Sequence, residues 1–443
     1  MHIRTYPNGD FAPGESGMNS SFETLQMMTA SAQKEMISCR LCGNSLSSPF
    51  LDLGQQPLCE SYLQQHQLNQ MEPFFPLQVY VCRDCMLVQL DQYVSPGHIF
   101  SEYAYFSSYS DGWLKHSKAY VQMAIERFGL GPKSLAVELA SNDGYLLQYF
   151  VEGGIPVLGI EPAANVANVA IERGIPTTVK FFGVQAAEEQ IENGMAADLL
   201  IGNNVLAQVP DLHDFVEGMR ILLKPQGNIT VEFPHLWRLL ESNQFDTIYH
   251  EHFSYFSLTV VERLFSEHAL KIFDVEELPT HGGSLRIYAC HRSNSEPASK
   301  RLNDLRRHEA DLGLDRLECY MSFAERVKET KRKLLEFMIA AKRNGKQIAG
   351  YGAAGKGNTL LNYCGIRTDF LDYVVDRNPY KQGRFLPGTH IPIYHPDRIR
   401  ETKPDLVLVL PWNVKAEIMS QNSYICEWGG QFIVPIPEVQ IYS

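Results

Sequence analysis

Twice along this chain, short apolar runs end in turns rich in Gly, Asn or Asp and give way to helical stretches, a rhythm that few folds accommodate. Residues 99–293 carry LAVELASNDGYLLQYF, VLGIEPAANVANVAIERG and ADLLIGNNVLAQVPDLHDFVEGMRILL, and residues 347–443 carry IAGYGAAGKGNTLL, LDYVVDRN and DLVLVLPWN. Such alternation is the pattern of βαβ units, so both blocks are expected to be α/β with a parallel sheet. Residues 36–98, ahead of them, hold paired cysteines, short strands and turns. Residues 294–346 are charged and poor in β-branched runs, which predicts a helical connector. At roughly 100–200 residues per domain, a chain of 443 residues has room for all of these.

A net charge of −12 argues against general affinity for nucleic acid, which needs a dense basic surface to displace phosphate counterions. A small phosphorylated ligand needs only a few local donors and is not excluded. No apolar run reaches the ~18–20 residues that span a bilayer, so no membrane segment is expected. Residues 1–35 are polar and lack an apolar h-region, which reads as a loosely ordered extension rather than a secretory signal. Nine cysteines with four in tight pairs point to metal in a reducing, cytoplasmic setting.

Those four are Cys39-Arg-Leu-Cys42 and Cys82-Arg-Asp-Cys85, two CxxC knuckles 39 residues apart. Zinc takes four tetrahedral ligands, and a two-residue gap lets both thiolates of a knuckle reach one ion. No further polar group is placed to leave an open coordination position, so the zinc is expected to be structural. Four buried free thiols are the alternative. Cys59, between the pairs, reads as a packed or free thiol.

The turn Val137-Glu138-Leu139-Ala140-Ser141-Asn142-Asp143-Gly144 ends a strand and opens a helix, presenting backbone N–H groups and small side chains to a ligand. Glu138, Ala140, Asn142 and Gly144 are its candidate cofactor contacts, although it lacks the GxGxxG of a dinucleotide site. Glu161 ends the next strand about 20 residues on, where a carboxylate can accept both ribose hydroxyls. Asn203 and Asn204 end the strand after that. Acid, ribose-reading acid and polar strand end in this order resemble class I S-adenosylmethionine-dependent methyltransferases; an ordinary α/β domain with turn residues is the alternative.

Tyr249-His250-Glu251-His252 packs four ionisable groups into four positions, a run that is expensive in a core. A strand would put Tyr249 and Glu251 on one face and both histidines on the other; a helix would fan all four. The spacing is HEH, not the HExxH of zinc proteases. Hydrogen-bonded polar residues bridging two layers are the alternative here. Tyr103-Ala-Tyr105-Phe-Ser-Ser-Tyr-Ser forms a second aromatic-hydroxyl cluster, which by itself reads as packing and capping.

Taken together, CRLCG…VYVCRDC, YFSSYS, VELASNDGYLL, GIEPAANVA, NNVLAQVPD, YHEHFSYFS, HGGSLRIY, GYGAAGKGNTLLN and VVDRNPYKQGRFLPGTHIPI resemble the sugar C-methyltransferases that act on keto-deoxyhexoses carried by nucleoside diphosphates. The likeness runs in order over about residues 37–440. Two positions depart from it: Gln208 stands where His is expected, and Ala140 replaces the usual turn Gly. The resemblance implies an N-terminal zinc-binding module, a class I methyltransferase Rossmann-like domain and a second, C-terminal Rossmann-like α/β domain. It implies S-adenosyl-L-methionine as cofactor and a nucleoside-diphosphate (dTDP) keto-deoxysugar as substrate, methylated at carbon 3, alpha to a 4-keto group.

Methylating carbon needs a carbanion equivalent, and the adjacent ketone supplies one as an enolate. His252 is the expected base, since imidazole titrates near neutrality and a positioned base contributes ~10²–10⁴-fold. Glu251 would orient it, and Tyr249 would donate to the enolate oxygen. By resemblance, Tyr103 or Tyr105 contacts the sugar, and Gln208 sits beside the acceptor. The C-terminal block would hold the nucleotide. There a strand bearing Tyr351 leads into a Gly-rich turn whose N–H groups, with Lys356, can cradle a pyrophosphate. Asn358, Asp376 and Arg384 add polar groups nearby, and a structural turn with a surface lysine is the alternative. GKG is not a Walker A ending.

Three rival readings remain. Gln208 admits a methyltransferase of the same build acting on another acceptor. GYGAAG followed by Asp376 suggests an NAD-dependent sugar-nucleotide oxidoreductase, although no Tyr-xxx-Lys pair accompanies it. A non-catalytic zinc-ribbon interaction protein fits poorly with the dense YHEH run.

Overall fold

The two alternating blocks each build one sheet in the computed structural model, which describes residues 37–47, 49–100 and 106–443. The N-terminal extension read from the sequence, and Tyr103 and Tyr105, lie outside the described residues. Ser38–Ser443 forms one compact unit.

The central sheet has seven strands in the spatial order Leu270–Leu278, Ser284–His291, Leu223–Pro234, Ala197–Asn203, Ala136–Leu139, Val157–Ile160 and Thr177–Thr178. Counted along the chain this is 6-7-5-4-1-2-3, parallel except for Ser284–His291, which is antiparallel to both neighbours. The order reverses between Ala136–Leu139 and Ala197–Asn203, and in open α/β sheets the crevice beyond such a switch point takes the ligand.

The C-terminal sheet runs Ile393–Tyr394, Val374–Val375, Ile348–Tyr351, Leu406–Val409, Gln431–Val434 and Gln440–Tyr442, with only the last strand antiparallel. Its switch point lies between Ile348–Tyr351 and Leu406–Val409. The helix Gly355–Cys364 starts there, and the turn Trp412–Val414 follows the second of those strands.

The N-terminal module is a four-stranded antiparallel sheet, Pro49–Gln56, Phe75–Val81, Val88–Leu90 and Ser254–Tyr255. Its fourth strand is therefore borrowed from just after the YHEH run. The module and the C-terminal sheet share one apolar core, in which Leu51, Leu77 and Val79 join Leu360, Val374 and Leu408 through the helix Phe323–Arg343. A second core, with Phe150, Leu199 and Ile201, lies in the central domain.

The connector is helical, Lys300–Leu312, Leu317–Met321 and Phe323–Arg343. One of its charges is not a solvated one. Glu309 is fully buried and accepts from His235 Nε2 at 2.8 Å and from the backbone N–H of Leu258 and Thr259. It thus satisfies orphan donors of the helix Leu258–Glu267 and clamps connector to central domain. Among the described residues no helix is long and apolar enough to cross a membrane.

Candidate active site

Both switch points open onto one cleft of about 480 Å³. Its first wall comes from the central sheet. Ala140 and Asn142 have left-handed backbones, φ +54° and +50°, which turn the chain back so that Asn142 N–H and Ala163 N–H both donate to Glu161, at 2.9 Å each. Burial pushes the Glu161 carboxyl up and those two N–H groups oppose the shift. Each carboxylate oxygen keeps a second lone pair for a ligand hydroxyl. Asn203, Asn204 and Gln208 border the same wall, with Trp113 stacked on Tyr145 closing it.

The left-handed backbone costs an alanine roughly 1–2 kcal/mol, while the extra freedom of an unfolded glycine offsets roughly 0.5–1 of that. Ala140→Gly is therefore expected to raise stability by ~0.5 kcal/mol, read as a small increase in melting temperature; a clear decrease would contradict the strain argument.

The second wall is the YHEH run, which is neither strand nor helix. His252 N–H donates to Tyr249 carbonyl oxygen at 2.9 Å, closing a four-residue turn. Tyr249, Glu251 and His252 face the cleft, with the Tyr249 and His252 rings 4.3 Å apart. His250 faces away, its Nε2 3.2 Å from Pro76 carbonyl oxygen and its ring edge-on to Phe75 in the N-terminal module. Arg40, between the first two cysteines, donates to the carbonyl oxygens of Leu90 and Phe253. The module therefore sets the orientation of the turn. Desolvation lowers His252 to about 4, with Thr247 backbone pulling the other way, and the charges of His281 and Lys356 lower it further. At neutral pH the imidazole is an uncharged acceptor.

The third wall is C-terminal: Ala354, Gly355 and Lys356 at the helix start, and Pro411, Asn413 and Val414. Gly352 makes this approach possible. Its φ is +90°, and a Cβ there would lie 2.5 Å from Pro411.

Several predicted contacts lie off the cleft. Glu138 is wholly buried behind it, its carboxyl pushed well above the usual range by burial. Gly144 is a packing position, since a Cβ would meet Ile175 Cδ1 at 2.3 Å. Tyr351 belongs to the C-terminal core, and Asn358 donates to Cys59 carbonyl oxygen, pinning its helix to the N-terminal module. Asp376 accepts from Ala353 and Asn378 N–H groups at 2.7 Å each, repeating in the second sheet the arrangement around Glu161, but it does not border the cleft. Arg384 does not border it either.

The four predicted cysteines converge. Their Sγ atoms all lie within 4.8 Å of one another, with Cys39–Cys85 at 3.4 Å and Cys42–Cys82 at 3.5 Å. A tetrahedron of ~2.3 Å Zn–S bonds has edges of ~3.8 Å, so the donor set fits zinc. Gln89 Nε2 donates to Cys39 Sγ at 3.2 Å, as an outer partner of a ligating thiolate would.

Three family models match in sequence: a zinc binding domain at residues 39–100, a methyltransferase domain at 113–274 and a C-methyltransferase C-terminal domain at 279–437. C-methyltransferase NovU of Streptomyces niveus is 37% identical over 408 residues, 91% of this chain and 96% of its own. The chain belongs to the C-methyltransferase family. Magnesium protoporphyrin IX methyltransferase (ChlM) of Synechocystis PCC 6803 with bound SAM aligns over 41% of the C-methyltransferase and 80% of its own chain, at 13% identity and TM-score 0.32. A S-adenosylmethionine-dependent methyltransferase of Clostridium acetobutylicum ATCC 824 aligns over 40% and 92%, at 11% and 0.33. The assignment rests on the family models and NovU rather than on these two.

This C-methyltransferase is thus an S-adenosylmethionine-dependent enzyme with a zinc-binding module. Among the cleft residues that the sequence does not single out is His281. His281 reaches the cleft from a tight turn, its Nε2 2.9 Å from Asn204 Nδ2 and its ring 5.1 Å from Trp113. Burial lowers it to about 4. Two glycines after a histidine, in HGGS, were the available signal: Gly282 and Gly283 have φ +93° and +124° and let the loop fold against Trp412 and Arg238.

Proposed function

We propose that this C-methyltransferase methylates carbon 3, alpha to the 4-keto group, of a nucleoside-diphosphate deoxysugar, with dTDP as the carrier, through an enolate. The observation that carries the reading is the turn Tyr249–His252, which aims a neutral imidazole, a carboxylate and a phenol into the cleft that Glu161 borders on its other side. That pairing suits carbon acidity, which needs a base and a donor for developing negative charge.

In this reading the Ala140–Asn142 turn, Glu161, Asn203 and Asn204 hold the cofactor, with Glu161 at the ribose. S-adenosylmethionine, when bound, supplies an electrophilic methyl group on a sulfonium. His252 removes the proton alpha to the ketone, Glu251 orients the exchange, and Tyr249 donates to the enolate oxygen. The substrate carbon then attacks in line, a step that depends on positioning. Tyr103 or Tyr105 would contact the sugar, and the C-terminal wall of the cleft would face the nucleotide.

Deuterium washout tests the reading. With S-adenosylhomocysteine bound, in deuterated water, the enzyme is expected to exchange the alpha hydrogen of a thymidine-diphosphate 4-keto-6-deoxyhexose. Retention of that hydrogen, with the cofactor site occupied, would move the assignment to another acceptor, the reading that Gln208 at the cleft wall favours. The oxidoreductase alternative has its own check: S-adenosylhomocysteine is expected to raise the melting temperature and NADH to leave it unchanged, and protection by NADH alone would reverse the assignment.

A further inference from the structure

Lys356 was expected at the diphosphate, yet its surroundings are those of a catalytic electrophile. It is the second residue of the helix Gly355–Cys364 and borders the cleft. Its Nζ donates to Asn413 Oδ1 at 2.7 Å and lies 4.9 Å from the centroid of the Trp412 ring. At that ring's edge Trp412 Nε1 donates to Asp246 Oδ2 at 2.7 Å. Asp246 is wholly buried, and its Oδ1 has no hydrogen-bond partner among the described residues. Desolvation pushes Asp246 up to about 7 and Lys356 down to about 8, and each group's charge counters the other's shift.

Lys356 lines the same cleft as His252 and His281, and its charge opposes protonation of both. The other cleft lysine is already engaged: Lys381 Nζ binds Tyr62 hydroxyl at 2.9 Å, Ala353 carbonyl oxygen at 2.8 Å and Glu60 at 3.2 Å. A base as weak as His252 also needs help at the ketone. A cation beside the carbonyl oxygen, in a pocket with little water, acidifies the alpha hydrogen far more than it would in solution.

We propose that the Lys356 ammonium, aimed by Asn413, Trp412 and Asp246, stabilises the enolate oxygen during carbon deprotonation and does not anchor the diphosphate. The proposal rests on the enolate reading above. The proton passes from the substrate carbon to His252, the C–H pair becomes the carbon–carbon π bond, and the carbonyl π pair moves to the oxygen facing Lys356. On methyl transfer the carbonyl re-forms, the new C–C bond is made from the enolate pair, and the S–C pair leaves on sulfur. Asp246 acts through Lys356 and is a positioning residue.

The test compares Lys356→Met and Asp246→Asn with wild type, using the same thymidine-diphosphate 4-keto-6-deoxyhexose. Lys356→Met is expected to slow both washout and kcat by ~10²–10³-fold, the usual loss of one oxyanion partner, with KM for the sugar nucleotide and affinity for S-adenosylhomocysteine retained. Washout at the wild-type rate overturns the proposal, as does a raised KM with kcat kept, which would return Lys356 to the diphosphate. Asp246→Asn keeps the shape and an acceptor for Trp412, so it decides the matter should Lys356→Met fail to fold: a lower kcat at unchanged KM supports the proposal, and a wild-type kcat overturns it. Absence of washout in wild type would bring down the enolate reading and this proposal together, whereas equal washout in wild type and Lys356→Met brings down this proposal alone.

Discussion

His252→Gln is expected to lower kcat by ~10²–10⁴-fold, the range for losing a positioned acid–base group, without loss of S-adenosylhomocysteine binding. Glutamine keeps the side chain's bulk and polarity but cannot carry a proton away from carbon. Its neighbours Tyr249 and Glu251 leave the cofactor wall untouched, so cofactor affinity reports an intact fold. The pH dependence adds a second reading. His252 titrates near 4 in the folded enzyme against 6.5 when free, so the unfolded chain binds the proton more readily. The stability this residue contributes is complete above about pH 6.5 and is lost as the pH falls towards 4. His281 follows the same course. Melting temperature in His252→Gln is therefore expected to fall less steeply than wild type between pH 6.5 and 4. For wild type, the acid limb of kcat/KM is expected well below 6.5, because that quantity reports the free enzyme's groups. Near-normal kcat in His252→Gln would remove this residue from the chemistry.

Cys82→Ser, or removal of zinc by a chelator, is expected to abolish activity although no zinc-ligating thiol borders the cleft. The reason is the shared sheet. Val88–Leu90 of the module pairs with Ser254–Tyr255, two residues beyond His252, and Pro76 holds His250 on the opposite side of the turn. A module of this size builds little core alone, and structural zinc binds small folded peptides with an apparent ~10–16 kcal/mol, so its loss should unfold the module rather than loosen it. Because the module shares its apolar core with the C-terminal sheet, the loss should also lower the melting temperature of the whole unit. Zinc content, thermal melting and turnover measured on the same samples are expected to fall together. A zinc-free protein with full turnover would show that the turn needs no such support.

The parts of this fold that sequence exposes are those with a period or a spacing. Runs such as LAVEL and DLVLVL are buried on both faces, so they read as parallel strands, whereas the spatial order that sets the two switch points comes from the structure. CxxC spacing likewise placed four thiols around one point. The YHEH run had neither property. Sequence leaves strand and helix both open there, but the segment is a turn whose facing is imposed by a strand pairing more than 160 residues back in the chain. Gly-rich helix starts commonly hold phosphate, which is why Lys356 reads as a diphosphate ligand; the Trp412–Asp246 bond beside it joins residues far apart in sequence. His281 carried only the glycines beside it, and Glu309 looked like any charge on a solvated helix. Tyr351 and Asn358 were chosen for belonging to a motif, yet packing explains both.

Transfer of a 13C-labelled methyl group from S-adenosylmethionine to a thymidine-diphosphate 4-keto-6-deoxyhexose, followed by carbon–proton correlation NMR, tests the central claim most directly. The account predicts a labelled methyl on carbon 3, correlated through bonds with the adjacent ketone carbon. A labelled methyl on oxygen, or on a carbon not adjacent to the ketone, would contradict it.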